Sequence, residues 1–413
     1  MPTLPLPFSA VQLNELAAVH PTPFYLYDEA GMRRAVRDLQ AAFAWAPAFR
    51  EYFAVKAAPN PHLLRLLTTE GCGLDCSSLA ELALAERIGL HGEQIMFTSN
   101  NTPDEEFAAA RRLGARINLD ALEHLAFLEH HAGLPPTIGF RLNPGPLRAG
   151  DAIMGKPEES KFGVTRDQLR TGYTLARDRG VQRFGIHAMV ASNERDPAAI
   201  VATARLLFEL VVELSAELAI TFDYVDLGGG IGIPYRPEEA AADLATIGRG
   251  IREAYAATIG AAGLPAPLLA TECGRLISGP HGYLITRVRH IKQTYRAYAG
   301  VDASMADLMR PGMYGAYHHL SVAGKEDQPA SQTYDIVGAL CENNDKFAIQ
   351  RPLPTLEVGD LLVIHDAGAH GRAMGFNYNG RLRCGEVLIQ SDGSARLIRR
   401  PETLDDYFAT LVW

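Results

Sequence analysis

The chain has 413 residues, 47% of them hydrophobic and 21% charged, with a formal net charge of −9. That length suggests two or three domains and that composition a sizeable core. The acidic balance argues against nucleic acid as the main partner, because a phosphate backbone needs a clustered basic surface, and no run of about 18 uninterrupted apolar residues offers a membrane span.

The N-terminus, MPTLPLPFSA, has no basic region followed by an apolar stretch, so no signal peptide is expected. The five cysteines, Cys72, Cys76, Cys273, Cys341 and Cys384, are odd in number and scattered, which fits a reduced, cytoplasmic protein. Cys72 and Cys76 lack a second Cys or His pair, so no metal site is expected.

Asp28–Phe43 reads as a helix. From Glu51 to Cys273 short apolar runs alternate with helical patterns. The runs are Tyr52–Val55, Gly73–Cys76, Ile95–Thr98, Arg116–Leu119, Thr137–Leu142, Phe184–Val190, Tyr224–Leu227 and Leu268–Thr271. Leu79–Ile88, Pro103–Leu113 and Ala199–Leu218 are the clearest helices between them. Thr102 and Glu105 are spaced as a capping box with Pro103 at the first helical position, and Asp196-Pro197 starts the third. Eight strands each followed by a crossover favour an α/β fold of the (β/α)₈ TIM-barrel type over the competing doubly wound sheet. After Gly279 the texture turns to short strands, Tyr283–Val288, Gln332–Val337, Leu361–Asp366, Glu386–Gln390 and Ala395–Leu397. The expected division is a barrel over residues 28–278 and a mostly β domain from residues 1–27 and 279–413.

Active sites of such barrels form at the C-terminal ends of the strands. Lys56 ends the first run. Asp75, His187 with Ser192, Asp226 before Gly228-Gly229-Gly230-Ile231-Gly232, and Glu272-Cys273-Gly274-Arg275 end others. A lone strand-end lysine is more often a snorkelling rim residue, and a lone glycine turn a tight loop. Together they suggest an anion held by backbone N–H groups and an aldehyde held by a lysine. Pyridoxal phosphate fits, with Glu272 facing its ring nitrogen.

The segments YFAVKAAPNP, GCGLDCSSLAEL, SKFGV, DLGGGIG, ECGR, RPGMYGAYH, CENND, DAGAHG and FNYNGRLR resemble, in this order, the diaminopimelate decarboxylase group of the alanine-racemase-type pyridoxal phosphate enzymes. The resemblance covers nearly the whole chain. It implies Lys56 as the Schiff-base lysine, with a pKa lowered by burial. Gly228, Gly229, Gly230 and Tyr378 are implied as phosphate ligands and Glu272 as partner of the ring nitrogen. Asp75, His187, Met189, Ser192, Gly274 and Arg275 complete the cofactor's surroundings. Cys341 is implied as the proton donor, Arg275, Arg310 and Tyr314 as the clamp for a distal carboxylate, Glu342 as the acceptor for a distal ammonium, and Tyr378 as a substrate-binding residue as well as a phosphate ligand.

The implied reaction is decarboxylation of meso-diaminopimelate to L-lysine in a homodimer with shared sites. Departures lie near the substrate. Met189 replaces a stacking imidazole, Cys273 a proline and His370 a tyrosine, and Asn343 and Asn344 replace smaller residues. The rivals are a decarboxylase of D-lysine, D-ornithine or a siderophore or polyamine precursor, a racemase, and a non-catalytic cofactor-binding relative. Glu272 argues against the racemase, and Lys56 with Cys341 against the last.

Overall fold

The computed structural model describes residues 6–147 and 155–413. They form two units, one of Arg33–Ile233 and Ala241–Ile277, the other of the chain up to Met32, Pro234–Ala240 and Ser278–Trp413. The described residues hold seventeen strands in chain order. β1 is Phe24–Asp28. β2 (Phe49–Ala54), β3 (Gly73–Cys76), β4 (Ile95–Ser99), β5 (Arg116–Leu119), β6 (Thr137–Arg141), β7 (Arg183–His187), β8 (Phe222–Asp226) and β9 (Leu268–Thr271) close into a parallel barrel in that order. β9 pairs back onto β2, so no edge is left open. The barrel reading therefore holds and the doubly wound alternative does not.

The interior of the barrel is filled by side chains. Tyr52, Met96, Tyr224 and Ala270 form one buried cluster, and Tyr224 Oη donates to Asn118 Oδ1 at 2.7 Å. The bulk of Tyr224 is possible only because its neighbour is a glycine: a Cβ on Gly185 would lie 2.0 Å from the ring. At the N-terminal end of β5, buried Arg116 covers the Tyr224 ring at 5.0 Å and bonds Asp223 at 2.6 Å and Glu93 at 2.9 Å. This end is a plug, with its charges mutually paired.

Two sequence expectations need correction here. Phe24–Asp28 is a buried strand, and the helix expected from Asp28 runs Glu29–Ala42. The capping box at Thr102 does not form. The helix is Asp104–Leu113, Pro103 is its cap, and Thr102 Oγ1 donates to the Ser99 carbonyl at 3.1 Å. Asp104, Glu105 and Glu106 complement the helix dipole in the first turn instead.

In the second unit, β1 pairs antiparallel with β10 (Gly282–Gln293) and parallel with β16 (Gly385–Ile389). The remaining strands are β11 (Ala297–Val301), β12 (Leu320–Val322), β13 (Gln332–Val337), β14 (Lys346–Leu353), β15 (Leu361–Ile364) and β17 (Ala395–Arg399). The sheet order is β14-β13-β11-β10-β1-β16-β17, with β15 joining β10 to β12. Phe8, Leu13, Phe24, Leu26, Ile285 and Val363 are part of its core. Among the described residues no helix is long and apolar enough to cross a membrane.

The tyrosine-filled interior makes a stability prediction. Gly185→Ala forces a methyl group into the Tyr224 ring, and overpacking of this kind costs about 1–3 kcal/mol. The urea midpoint of the variant should fall accordingly; an unchanged midpoint would mean that the barrel interior has room to spare.

Candidate active site

At the other end of the barrel the charges are not all paired. β2 ends at Ala54, where Val55–Ala57 makes a single 3₁₀ turn. Asn60 then caps the next helix, accepting the His62 N–H at 2.9 Å. Lys56 lies in that turn. Its Nζ donates to Asp75 Oδ2 at 3.2 Å, and Asp75 stands in register with Ala54 on β3.

The expected depression of the Lys56 pKa is wrong in direction. The Asp75 carboxylate raises it, burial opposes, and Glu272 adds to the rise. The lysine side chain is 53% exposed while Asp75 is 2% exposed. Desolvation of the ammonium is thus incomplete and attraction by the carboxylates wins.

The ends of β7, β8 and β9 bring His187, Asp226 and Glu272 together, all buried. His187 Nδ1 lies 3.3 Å from Asp226 Oδ2 and Nε2 lies 3.8 Å from Glu272 Oε2. Burial lowers the His187 pKa and raises that of Asp226 to about 7. Burial, then Asp226 and Asp75, push Glu272 well above the carboxylate range. Asp75 Oδ1, His187 Nδ1, Asp226 Oδ2 and Glu272 Oε1 have no hydrogen-bond partner among the described residues. Buried polar atoms left this way are costly. The mouth therefore suits a ligand that brings a positive charge or a donated proton.

The glycine turn after β8 supplies the opposite polarity. Gly228 and Gly230 have φ of +69° and +96°. A Cβ on either would lie 2.2 Å from the carbonyl oxygen of Ala188 or Ala191. Gly228 N–H donates to Asp226 Oδ1, and its carbonyl accepts from Glu272 N–H, both at 2.9 Å. Among the described residues neither the Gly229 nor the Gly230 N–H meets an acceptor, which leaves two donors for an anion. Met189 borders this turn, its Cε 3.7 Å from where a Gly230 Cβ would stand. Arg275 Nη2 donates to Ser192 Oγ at 3.5 Å. A Cβ on Gly274 would lie 2.6 Å from that of Ala57, so the turn after β9 packs on the turn that carries Lys56.

The barrel unit thus gathers Lys56, Asp75, His187, Met189, Ser192, Gly228, Gly229, Gly230, Glu272, Gly274 and Arg275 at its strand ends. It also contains residues the sequence reading passed over. Arg141 ends β6, 8% exposed, with its guanidinium 4.4 Å over the Phe162 ring and 3.5 Å from Asp120 Oδ1. Burial lowers its pKa; Asp120, Glu272 and Asp75 oppose this. Its strand-end position was the available signal, the same that marked Lys56. Buried Glu51 on β2 is the other.

The other five residues belong to the sheet unit. Arg310 is 4% exposed in the short helix Arg310–Tyr314, with its guanidinium 4.6 Å over the Tyr235 ring. His318 Nδ1 faces the His365 carbonyl at 2.8 Å and so donates to it, which leaves Nε2 to accept from Arg310 Nη1 at 2.8 Å. Tyr314 and Tyr378 are about half exposed. Cys341 is exposed, its N–H donating to Asn379 Oδ1 at 2.7 Å. Asp345 fixes the loop around Cys341 and Glu342 by accepting from the Leu340 and Met305 N–H groups. Cys341 and Glu342 line an open groove with His290, Lys292, Tyr298 and Lys346.

The model of the pyridoxal-dependent decarboxylase pyridoxal-binding domain matches residues 29–279. The chain belongs to this family. It is 45% identical over 405 residues to Protein TabA of Pseudomonas amygdali pv. tabaci, covering 97% of this chain and 94% of that protein. It is 37% identical over 395 residues to the diaminopimelate decarboxylase of Methanothermobacter thermautotrophicus, covering 95% and 92%. The solved diaminopimelate decarboxylase from M. jannaschii in co-complex with L-lysine superposes with a TM-score of 0.87 at 30% identity, covering 96% of this chain and 94% of that one. The chain is a pyridoxal-phosphate-dependent decarboxylase of the diaminopimelate decarboxylase type. The donor set fits that cofactor: a primary amine at Lys56, free N–H groups at the glycine turn, and an unpartnered buried carboxylate oxygen on Glu272.

The raised pKa of Asp226 gives a pH dependence. Between its unfolded value near ~3.9 and its folded value of about 7, the native state holds the extra proton. The stability of the cofactor-free protein should fall as pH rises through that window and level off above it. Asp226→Asn should flatten the slope by up to about 1.4 kcal/mol per pH unit, measured by urea unfolding at a series of pH values. Parallel curves for the two proteins would show that Asp226 ionises normally.

Proposed function

We propose that this enzyme decarboxylates meso-diaminopimelate at its D centre, giving L-lysine and CO₂, in the cytoplasm. The observation that carries the substrate reading is Arg310. It is a buried guanidinium held on one edge by His318 and on one face by Tyr235, an arrangement suited to directional recognition of a distal carboxylate. The relatives support it: diaminopimelate decarboxylases from several organisms are 30–37% identical over nearly the whole chain.

When bound, pyridoxal phosphate supplies an aldehyde that captures amines and a ring that draws electrons from the carbon losing CO₂. In this reading Lys56 offers the amine that holds the cofactor, and Asp75 keeps that amine in place. Gly228, Gly229, Gly230, Gly274, Ser192 and Tyr378 receive the phosphate. Glu272 would hold the ring nitrogen, and His187 and Met189 would help to hold the ring. Arg275, Arg310 and Tyr314 orient the distal carboxylate, and Glu342 takes the distal ammonium. Cys341 Sγ carries the proton that returns to the substrate carbon. Orientation and charge stabilisation are the chain's contribution to the rate.

A second reading has its own support. Identity to Protein TabA exceeds that to the diaminopimelate decarboxylases named above, and Met189, Cys273, Asn343 and Asn344 depart from the usual pattern. This favours a related amino acid as substrate. CO₂ release from a panel of meso-diaminopimelate, D-lysine and D-ornithine separates the two. Diaminopimelate should be turned over fastest, and Arg310→Lys should reduce its kcat/KM by at least about tenfold, the loss of one good charged contact. Faster turnover of either diamine acid would overturn the choice.

The reading includes a two-fold dimer in which Lys56 of one chain serves a site completed by Cys341 and Glu342 of the other. Lys56→Ala and Cys341→Ala should each be inactive alone. After subunit exchange about half the dimers are mixed and about a quarter of all sites regain both residues, as isologous pairing requires. A mixture that stays inactive after exchange is proven would place both residues in one chain's site.

A further inference from the structure

A buried carboxyl stands directly behind the cofactor's proposed carboxylate. Glu51 lies on β2, 1% exposed, in register with Thr271 on β9. Its Oε2 accepts from the Thr271 hydroxyl, and its Oε1 accepts from the Cys273 N–H at 2.6 Å. Thr271 and Cys273 are the residues on either side of Glu272. One side chain thus ties down both neighbours of the group assigned to the ring nitrogen. A charged residue inside a barrel strand is costly unless it has such work, since burial and two nearby carboxyls all disfavour its ionised form.

The constraint extends further. The Glu272 N–H donates to the Gly228 carbonyl at 2.9 Å, and a Cβ on Gly229 would lie 2.4 Å from the Glu272 carbonyl oxygen. The backbone of Glu272 is therefore locked to the glycine turn on one side and to Glu51 through its neighbours on the other. The N–H of residue 273 is essential to this arrangement, and a proline there would lack it.

We propose that Glu51 is a positioning residue: through Thr271 and the Cys273 N–H it sets the direction of the Glu272 carboxylate and the register of the phosphate-binding glycine turn. This rests on the assignment of Glu272 to the cofactor, which Glu272→Ala tests separately. Glu51 and Cys273 form one pair, joined by the hydrogen bond from the Cys273 N–H.

The test uses the purified holoenzyme and its variants. Readouts are the cofactor dissociation constant, by fluorescence after equilibrium dialysis, and the visible circular dichroism of the bound cofactor, which reports its asymmetric surroundings. Glu51→Leu should weaken cofactor binding at least about tenfold, the effect of losing a well-made buried hydrogen bond, and should diminish the dichroic band. Glu51→Gln can accept from Cys273 and donate to Thr271, so it should stay within about twofold of the parent. Cys273→Ala keeps the N–H and should also stay near the parent, whereas Cys273→Pro removes it and should resemble Glu51→Leu.

If Glu51→Leu does not fold, the Cys273 pair decides. Equal binding and dichroism in the alanine and proline variants would overturn the proposal. So would a folded Glu51→Leu protein with parental values, or a Glu51→Gln protein as impaired as the leucine variant. Should Glu272→Ala itself leave binding and dichroism unchanged, the assignment of Glu272 fails. Loss in Glu272→Ala without loss in Glu51→Leu refutes only the role of Glu51.

Discussion

The structure turns on an excess of buried acid at one end of a closed barrel. Asp75, Asp226 and Glu272 converge there with a neutral histidine between two of them, and Lys56 is the cation they share most directly. Such a set is costly in isolation, because burial and mutual repulsion both oppose ionisation. In the proposed reading it becomes favourable when a ligand brings a protonated ring nitrogen to the unpartnered carboxylate oxygens and a phosphate to the glycine turn. Binding and the chemistry then use the same imbalance, since a carboxylate that keeps the ring nitrogen protonated also keeps the ring an electron sink.

The barrel beneath makes that imbalance possible. Its lower half is filled by Tyr52, Met96 and Tyr224 and sealed by Arg116 with both of its acidic partners. The two ends of the same strands therefore have opposite electrostatic character. Below, the guanidinium of Arg116 is paired with Asp223 and Glu93. Above, one oxygen each of Asp75, Asp226 and Glu272 is buried without a hydrogen-bond partner among the described residues. The sheet unit, by itself, holds a different kind of group, a guanidinium buried between a histidine and a tyrosine, which is directional and permanently charged.

Much of this was legible from residues alone. Each barrel strand is a short apolar run between turn signals, and the eight-fold alternation leaves few topologies. Lys56, the glycine turn and Glu272 stood out because each ends such a run. Phe24–Asp28 was missed because one strand directly preceding a helix shows no alternation. Lys346–Leu353 was missed because Gln350 and Arg351 interrupt its apolar pattern and Pro352 argues against a strand; as the terminal strand of its sheet it tolerates that proline. The direction of the Lys56 pKa could not be read, since it depends on Asp75, 19 residues away, meeting it across a strand pair. Glu51 was invisible for a similar reason. A charged residue in a strand reads as solvent-facing until its partners are known.

The central claim is that the buried carboxylates at the barrel mouth are matched to a protonated ring nitrogen. It is tested most directly by comparing, on the cofactor-free protein, the dissociation constants of pyridoxal phosphate and of an analogue whose ring nitrogen is replaced by carbon. The two share the aldehyde and the phosphate, so Lys56 and the glycine turn act on both alike. The account predicts that the analogue binds at least about tenfold more weakly, because it leaves the Glu272 oxygen buried without a donor. Equal affinity for the two would contradict it.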